Sequence, residues 1–265
     1  MDYQPFLIPT KLKIPQIRGD LVERPQLIER LKLGLNRKVT IISAPAGYGK
    51  STLTINFLQR QSRPVAWFSI SETDNDLNNF LNYLVTALQT LFPDSFQRSK
   101  DLLAADIQPP IHYFTTILIN DINAIPAGLS VPSFIVVLDD YHLIDNQEIH
   151  QLISSLIEYQ PQQMHLVIIG RQDPFQLPIS QLRARQELLE IRQADIRFNL
   201  VETRQFLDRY LGADLSEELV DLVDQRIEGW VVGLRLASMT LQDFDDPQVI
   251  LQGMKGTHRY VMEYL

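Results

Sequence analysis

The stretch Ala44-Pro45-Ala46-Gly47-Tyr48-Gly49-Lys50-Ser51-Thr52 follows directly on the apolar run Val39-Thr40-Ile41-Ile42-Ser43 and leads into a helical pattern through Phe57 and Leu58. A strand, a glycine-containing turn and a helix opened by Lys-Ser-Thr is the arrangement of a phosphate-binding loop. Gly47 and Gly49 let the backbone approach closely, so that the N–H groups of Ala46 to Thr52 and the helix N-terminus can converge on phosphate oxygens. Lys50 then reaches the β and γ phosphates. Ser51 falls where the motif places a hydroxyl ligand for Mg²⁺, and Thr52 opens the helix. Ala44 occupies the position of the motif's first glycine, which leaves Gly47 and Gly49 to supply the turn's backbone freedom.

A second element stands at a compatible distance. Phe134-Ile135-Val136-Val137-Leu138-Asp139-Asp140 reads as a fully buried strand ending in two carboxylates, a Walker B arrangement. Asp139 is suited to hold Mg²⁺ through water, and Asp140 to polarise an attacking water. The cofactors expected from the pair of motifs are ATP or ADP with Mg²⁺. Lys50 and Asp140 are the candidate catalytic residues, and Ser51 and Asp139 the candidate metal ligands.

Bulk properties bound the alternatives. The chain has 265 residues, 45% of them in the apolar AVILMFWYC set and 21% charged, enough for one large domain and a smaller one with a sizeable core. It has no cysteine, which excludes disulfides, thiol catalysis and thiolate metal ligands and suits a reducing, cytoplasmic setting. No stretch has the order of a signal peptide or the length of a membrane span. A net charge of −8 argues against broad contact with a nucleic-acid backbone. Arg171, Arg183, Arg185, Arg192 and Arg197 are interleaved with acids and apolar residues and read as site and surface arginines. The five histidines show no metal-ligand spacing.

Short β-rich segments alternate with longer helical ones, the pattern of an α/β domain on a parallel sheet. Strands are expected at Val39–Ser43, Val65–Ile70, Phe134–Asp139, Leu166–Gly170 and near Asp195–Phe198. Helices are expected at Ser51–Gln59, Leu77–Leu91, Ile111–Ala124, Gln147–Tyr159 and Ile179–Leu188, with Pro109, Pro110, Pro126 and Pro132 punctuating the connections. After Phe198 the segments Glu202–Leu211, Leu215–Ile227 and Trp230–Leu241 read as consecutive helices. The expected organisation is an α/β P-loop NTPase domain over residues 1–200, with a parallel five-stranded sheet sandwiched by helices, then a small all-helical module over 201–265. The amphipathic end Arg259–Leu265 lacks a capping signal, and the chain is expected to be cut from a longer protein.

Five stretches carry a resemblance: Leu7-Ile8-Pro9-Thr10-Lys11-Leu12 with Arg24; Ala44 to Lys50; Leu138-Asp139-Asp140-Tyr141-His142-Leu143-Ile144; Leu182 to Ile191; and Glu228-Gly229-Trp230 with Gly233-Leu234. Together they resemble the ATPase domain of the MalT-like, LuxR-type transcriptional regulators, members of the STAND class of P-loop NTPases. The resemblance implies an AAA+-like core with a helical module, followed in the whole protein by a sensor and a DNA-binding helix-turn-helix. It implies a switch: closed with ADP, open and self-associating with ATP when an inducer binds elsewhere, with slow hydrolysis as the reset.

The resemblance also assigns residues. Arg171, after the strand ending at Gly170, stands where similar NTPases place a sensor of the γ-phosphate; the plain alternative is a solvated strand-end arginine. Val22 and Arg24 lie in a segment that STAND proteins fold against the adenine, with the alternative that Arg24 forms a salt bridge. Arg183 and Arg185 cannot share a helix face, so at most one points into the site. His142 reads as structural, and Trp230 as packing the helical module, with a nucleotide contact from that region left open. A turnover enzyme, such as an AAA+-like motor or phosphotransferase, and a nucleotide-binding scaffold without hydrolysis are the alternative functions.

Overall fold

Strands with every residue buried need partners on both sides and cover on both faces; Phe134–Asp139 and Met164–Gly170 have that character, and Val39–Ser43 has it at all but Ser43. The computed structural model of the chain describes residues 7–17, 19, 21–105, 107, 109–125, 133–212 and 215–242. In chain order its elements are α1 (Pro25–Gly34), β1 (Val39–Ser43), α2 (Lys50–Leu58), β2 (Val65–Ser69), α3 (Leu77–Gln89), α4 (Gln97–Leu103) and α5 (Ile111–Asn123). There follow β3 (Phe134–Asp139), α6 (Gln147–Glu158), β4 (Met164–Gly170), α7 (Ile179–Ala184), β5 (Leu188–Arg192), α8 (Gln193–Ile196), α9 (Leu200–Leu211), α10 (Glu217–Ile227) and α11 (Val231–Gln242).

The strands form one sheet in the order β2-β3-β4-β1-β5, an α/β P-loop NTPase architecture. The pairs β2/β3, β3/β4 and β4/β1 are parallel. Their register aligns Ser43 with Gly170, Leu138 with Ile168 and Ser69 with Asp139, so the strands' carboxyl ends share one edge.

The described residues divide into two compact units. The first lies within Met1–Ile17, Gln26–Ser43 and Ser51–Ile191; the second lies within Arg18–Pro25, Ala44–Lys50 and Arg192–Leu265. In the first, the apolar stripes of α3, α5 and α6 supply Phe80, Leu84, Phe114, Leu118, Ile149 and Ile153 to a core with Phe68, Val136 and Leu138. Phe68 stacks on Tyr83 at 5.0 Å. In the second, Phe206, Leu207, Leu219, Val220, Val223 and Leu234 form a separate core.

Helix starts follow local side-chain chemistry. Asp76 accepts from Asn79 N at 2.9 Å to cap α3, Asn146 caps α6, and Ser216 caps α10. At α9 a reciprocal box forms: Asn199 accepts from Glu202 N, and Glu202 accepts from Asn199 N, both at 3.0 Å.

Two expected elements are corrected. The helix expected to Leu188 stops at Ala184, because Gln186 turns left-handed at φ 58°. Glu187 O then accepts from Lys38 N and Val39 N at 3.0 and 3.1 Å, which draws the following residues along β1 as the edge strand β5. The strand expected near Asp195–Phe198 is instead the short helix α8, started by Asp195 accepting from Arg192 N at 2.8 Å. Helices α1 and α4 were not expected from periodicity. Pro126, Pro132 and Arg259–Leu265 lie outside the described residues. Among the described residues no helix is long and apolar enough to cross a membrane.

Candidate functional site

In open α/β sheets the carboxyl ends of the strands face the crevice where ligands bind. At that edge, in the first unit, the Ser51 hydroxyl in the first turn of α2 donates to Asp139 Oδ1 at 3.0 Å. Asp139 is buried at the end of β3, and its Oδ1 also accepts from Asp140 N at 3.1 Å. Asp140 takes a left-handed φ of 59°, which turns the chain sharply and leaves its carboxylate half-exposed beside the buried Asp139. Two adjacent carboxylates thus have different surroundings, one bonded and enclosed, the other open to water.

Tyr141 and His142 diverge after that turn. The buried Tyr141 hydroxyl lies 2.8 Å from His150 Nδ1. Burial raises the Tyr141 pKa above the phenol range and lowers that of His150, so the pair rests as neutral phenol and neutral imidazole. His142 Nδ1 is 3.7 Å from Asp140 Oδ1. Arg171 is exposed directly after Gly170, and β4 lies between β1 and β3. Arg183 is held by Glu190 through bonds of 2.7 and 2.8 Å, while Arg185 is exposed.

The loop residues Ala44–Lys50 belong to the second unit. Gly47 and Gly49 have φ of +79° and +84°, and nothing lies within 4 Å of where a Gly49 side chain would start. Lys50, only 8% exposed, donates to Pro45 O at 3.0 Å. Tyr48 OH accepts from Gln193 Nε2 at 2.9 Å. The Trp230 indole N–H donates to Ala46 O at 2.8 Å, and Val232 N–H donates to Gly47 O at 3.1 Å. Thr52 is exposed in the first turn of α2.

Val22 and Arg24 also lie in the second unit. The Val22 side chain is part of the helical core. Arg24 pairs with Glu202 at 2.8 and 3.0 Å, donates to the carbonyls of Asp195, Ile196 and Arg197, and its guanidinium lies 5.2 Å from the Phe198 ring centre. Of the two readings of Arg24, the salt bridge is the one seen.

The grip of Trp230, Val232 and Gln193 on the loop was missed from sequence. The signal was the Glu228-Gly229-Trp230 turn with Gly233, read there as packing of the helical module with a nucleotide contact left open. Lys11 was missed as well: it pairs with Asp74 and donates to Ser71 Oγ at 2.7 Å, pinning the segment after β2.

No protein-family model matches the chain. Two solved structures share the fold. A Walker-type ATPase of Pyrococcus abyssi superposes with a TM-score of 0.58 at 14% identity, over 88% of this chain and 71% of that one. A STAND protein with a tetratricopeptide repeat sensor from Pyrococcus horikoshii gives 0.59 at 15% identity, over 94% and 32%. The chain is a P-loop NTPase by fold.

Its sequence relatives are more specific. The HTH-type transcriptional regulator MalT of Yersinia pestis is 32% identical over 237 residues, 89% of this chain and 25% of the relative. MalT of Yersinia enterocolitica is 31% identical over 235 residues. The chain is thus similar to MalT regulators over most of its own length, and it spans about a quarter of the length of the curated relatives it matches.

Proposed function

We propose that the chain is a nucleotide-controlled switch domain, binding ATP or ADP with Mg²⁺ on the loop Ala46–Thr52. The observation that supports this best is the 3.0 Å bond between the Ser51 hydroxyl and Asp139, a hydroxyl and a carboxylate held together at the start of α2 and the end of β3. The residues fit the ligand. Two left-handed glycines, open space at Gly49, a lysine within the loop and an acid pair with one enclosed and one open member form the donor set of a polyphosphate–metal site.

In this reading Lys50 exchanges its bond to Pro45 O for the β and γ phosphates, and the loop N–H groups cradle the phosphate chain. Ser51 and Asp139 hold Mg²⁺, which when bound neutralises phosphate charge. Asp140, its carboxylate half-exposed after its turn, orients and polarises water. Arg171 reads the γ-phosphate: a cation that touches ATP and not ADP supplies the differential affinity that a two-state switch requires. Arg24 fixes segment 21–25 to the helical unit, so any adenine contact there falls to the backbone of Val22 and Glu23.

The curated relatives are named as transcriptional regulators, and we infer that a parent protein uses this domain to gate DNA binding by another part of the chain. An inducer bound elsewhere, self-association with ATP and slow hydrolysis belong to the same reading. Nucleotide affinity and turnover of wild type, Asp140→Asn and Arg171→Ala test it. Asp140→Asn is expected to keep ATP affinity while hydrolysis slows about a hundredfold or more. Arg171→Ala is expected to narrow the gap between ATP and ADP affinity. Fast wild-type turnover with equal affinity for both nucleotides would favour a turnover ATPase over a switch.

A further inference from the structure

The two bonds that reach the loop from the start of α11 fix more than a distance. A peptide unit is planar, and its C=O and N–H point in opposite directions. The Ala46 carbonyl is held by the Trp230 indole and the Gly47 carbonyl by Val232 N–H, at 2.8 and 3.1 Å. The N–H groups of Gly47 and Tyr48, which share those two planes, are therefore turned to the side of the loop away from Trp230. Donation to a carbonyl also polarises the N–H of the same peptide, making it a stronger donor.

The surrounding residues are shaped for this contact. A side chain at Gly47 would begin 2.5 Å from Trp230 Nε1 and 2.9 Å from Val232 Cβ, so the close approach depends on glycine. Glu228 and Gly229 both turn left-handed, at φ 52° and 70°, and a Gly229 Cβ would lie 2.2 Å from Phe198 O. Phe198 N–H donates to Gly229 O at 3.0 Å and ties this turn to the segment before α9. Gly233 leaves room for the indole ring, since a Cβ there would begin 2.4 Å from Trp230 Cε3.

We propose that Trp230, assisted by Val232 N–H, is a positioning residue for the phosphate loop. It sets two peptide planes so that the Gly47 and Tyr48 N–H groups face phosphate, and it makes phosphate occupancy and the order of the helical unit parts of one equilibrium. Linkage requires reciprocity: a grip that strengthens phosphate binding is itself strengthened by bound phosphate. The proposal rests on the nucleotide reading above. It adds that the loop's occupancy is transmitted to the helical unit through main-chain carbonyls, independently of any contact to the base. The effect falls on ATP and ADP alike, in contrast to Arg171.

The chain has two tryptophans, so Trp67→Phe leaves Trp230 as the sole indole reporter. In that background the emission of Trp230 is expected to shift on adding ADP, ATP or pyrophosphate with Mg²⁺, and to stay unchanged with adenosine. Trp230→Phe keeps an aromatic ring and removes the donor. Calorimetric titration is expected to show ATP and ADP affinity both reduced roughly three- to tenfold, the value of one neutral hydrogen bond. Limited proteolysis is expected to show that nucleotide no longer protects the helical unit. Should Trp230→Phe lose its fold by circular dichroism, Val232→Pro removes the other donor within the first turn of α11, where proline is tolerated, and the same losses are expected. If nucleotide binds with no change in Trp230 emission, or both variants keep wild-type affinity and protection, the positioning role is overturned and the nucleotide reading survives. If wild type binds neither nucleotide, both fall.

Discussion

His165 on β4 shows how a polar ring is kept in the core. Its Nδ1 lies 2.8 Å from Arg37 O and its Nε2 3.0 Å from the Thr40 hydroxyl on the neighbouring strand, so the neutral ring donates on one side and accepts on the other. Burial lowers its pKa from 6.5 to about 4. The unfolded chain therefore takes up a proton that the folded chain refuses, and stability is lost as pH falls through that window, by on the order of 3 kcal/mol. The lowered His150 adds in the same direction. The urea midpoint is expected to drop between pH 7 and pH 5, with His165 ring resonances staying in the neutral form; a ring titrating near its ordinary value would contradict this. At this same scale the sequence was informative about chemistry and silent about conformation. Lys50, Ser51, Asp139 and Asp140 stood out as candidates because the proposed phosphate and metal chemistry calls for those residue types at that spacing. The left-handed turn that separates the environments of Asp139 and Asp140 was not, since nothing in an Asp-Asp pair announces a φ of 59°.

Among the elements, the strands that pair on both sides were the easiest to read, because continuous apolar runs such as Ile135–Leu138 leave little choice. The edge was harder. Leu188–Arg192 contains good helix formers, and only its pairing beside β1 overrides that preference. Arg24 illustrates a second limit: its partners Glu202, Asp195, Ile196 and Arg197 are more than 170 positions away, as the separations of 171 to 178 show. Glu202 also closes the α9 capping box, so one carboxylate serves both a helix start and the anchoring of segment 21–25. Arg24→Ala removes the charged partner of that carboxylate and the donor to three carbonyls together. It is expected to destabilise the helical unit by about 2–4 kcal/mol, seen as a lower denaturant midpoint by Trp230 emission. A midpoint within experimental error of wild type would show that the anchor contributes nothing.

For the molecule as a whole, the phosphate loop groups with the helical unit, while the Ser51–Asp139 pair lies in the sheet unit. A ligand that binds only the folded form stabilises it, and linkage then makes the order of the unit that holds the loop depend on nucleotide. That is the physical basis for reading the domain as a switch, and it depends wholly on phosphate binding at the loop. The most direct measurement is an equilibrium titration of the chain with Mg²⁺-ATP and Mg²⁺-ADP beside Lys50→Ala, with circular dichroism to establish that the variant is folded. Saturable binding of about one equivalent by wild type, lost in the folded variant, is the expected result. Absence of binding by wild type, or undiminished binding by Lys50→Ala, would contradict it.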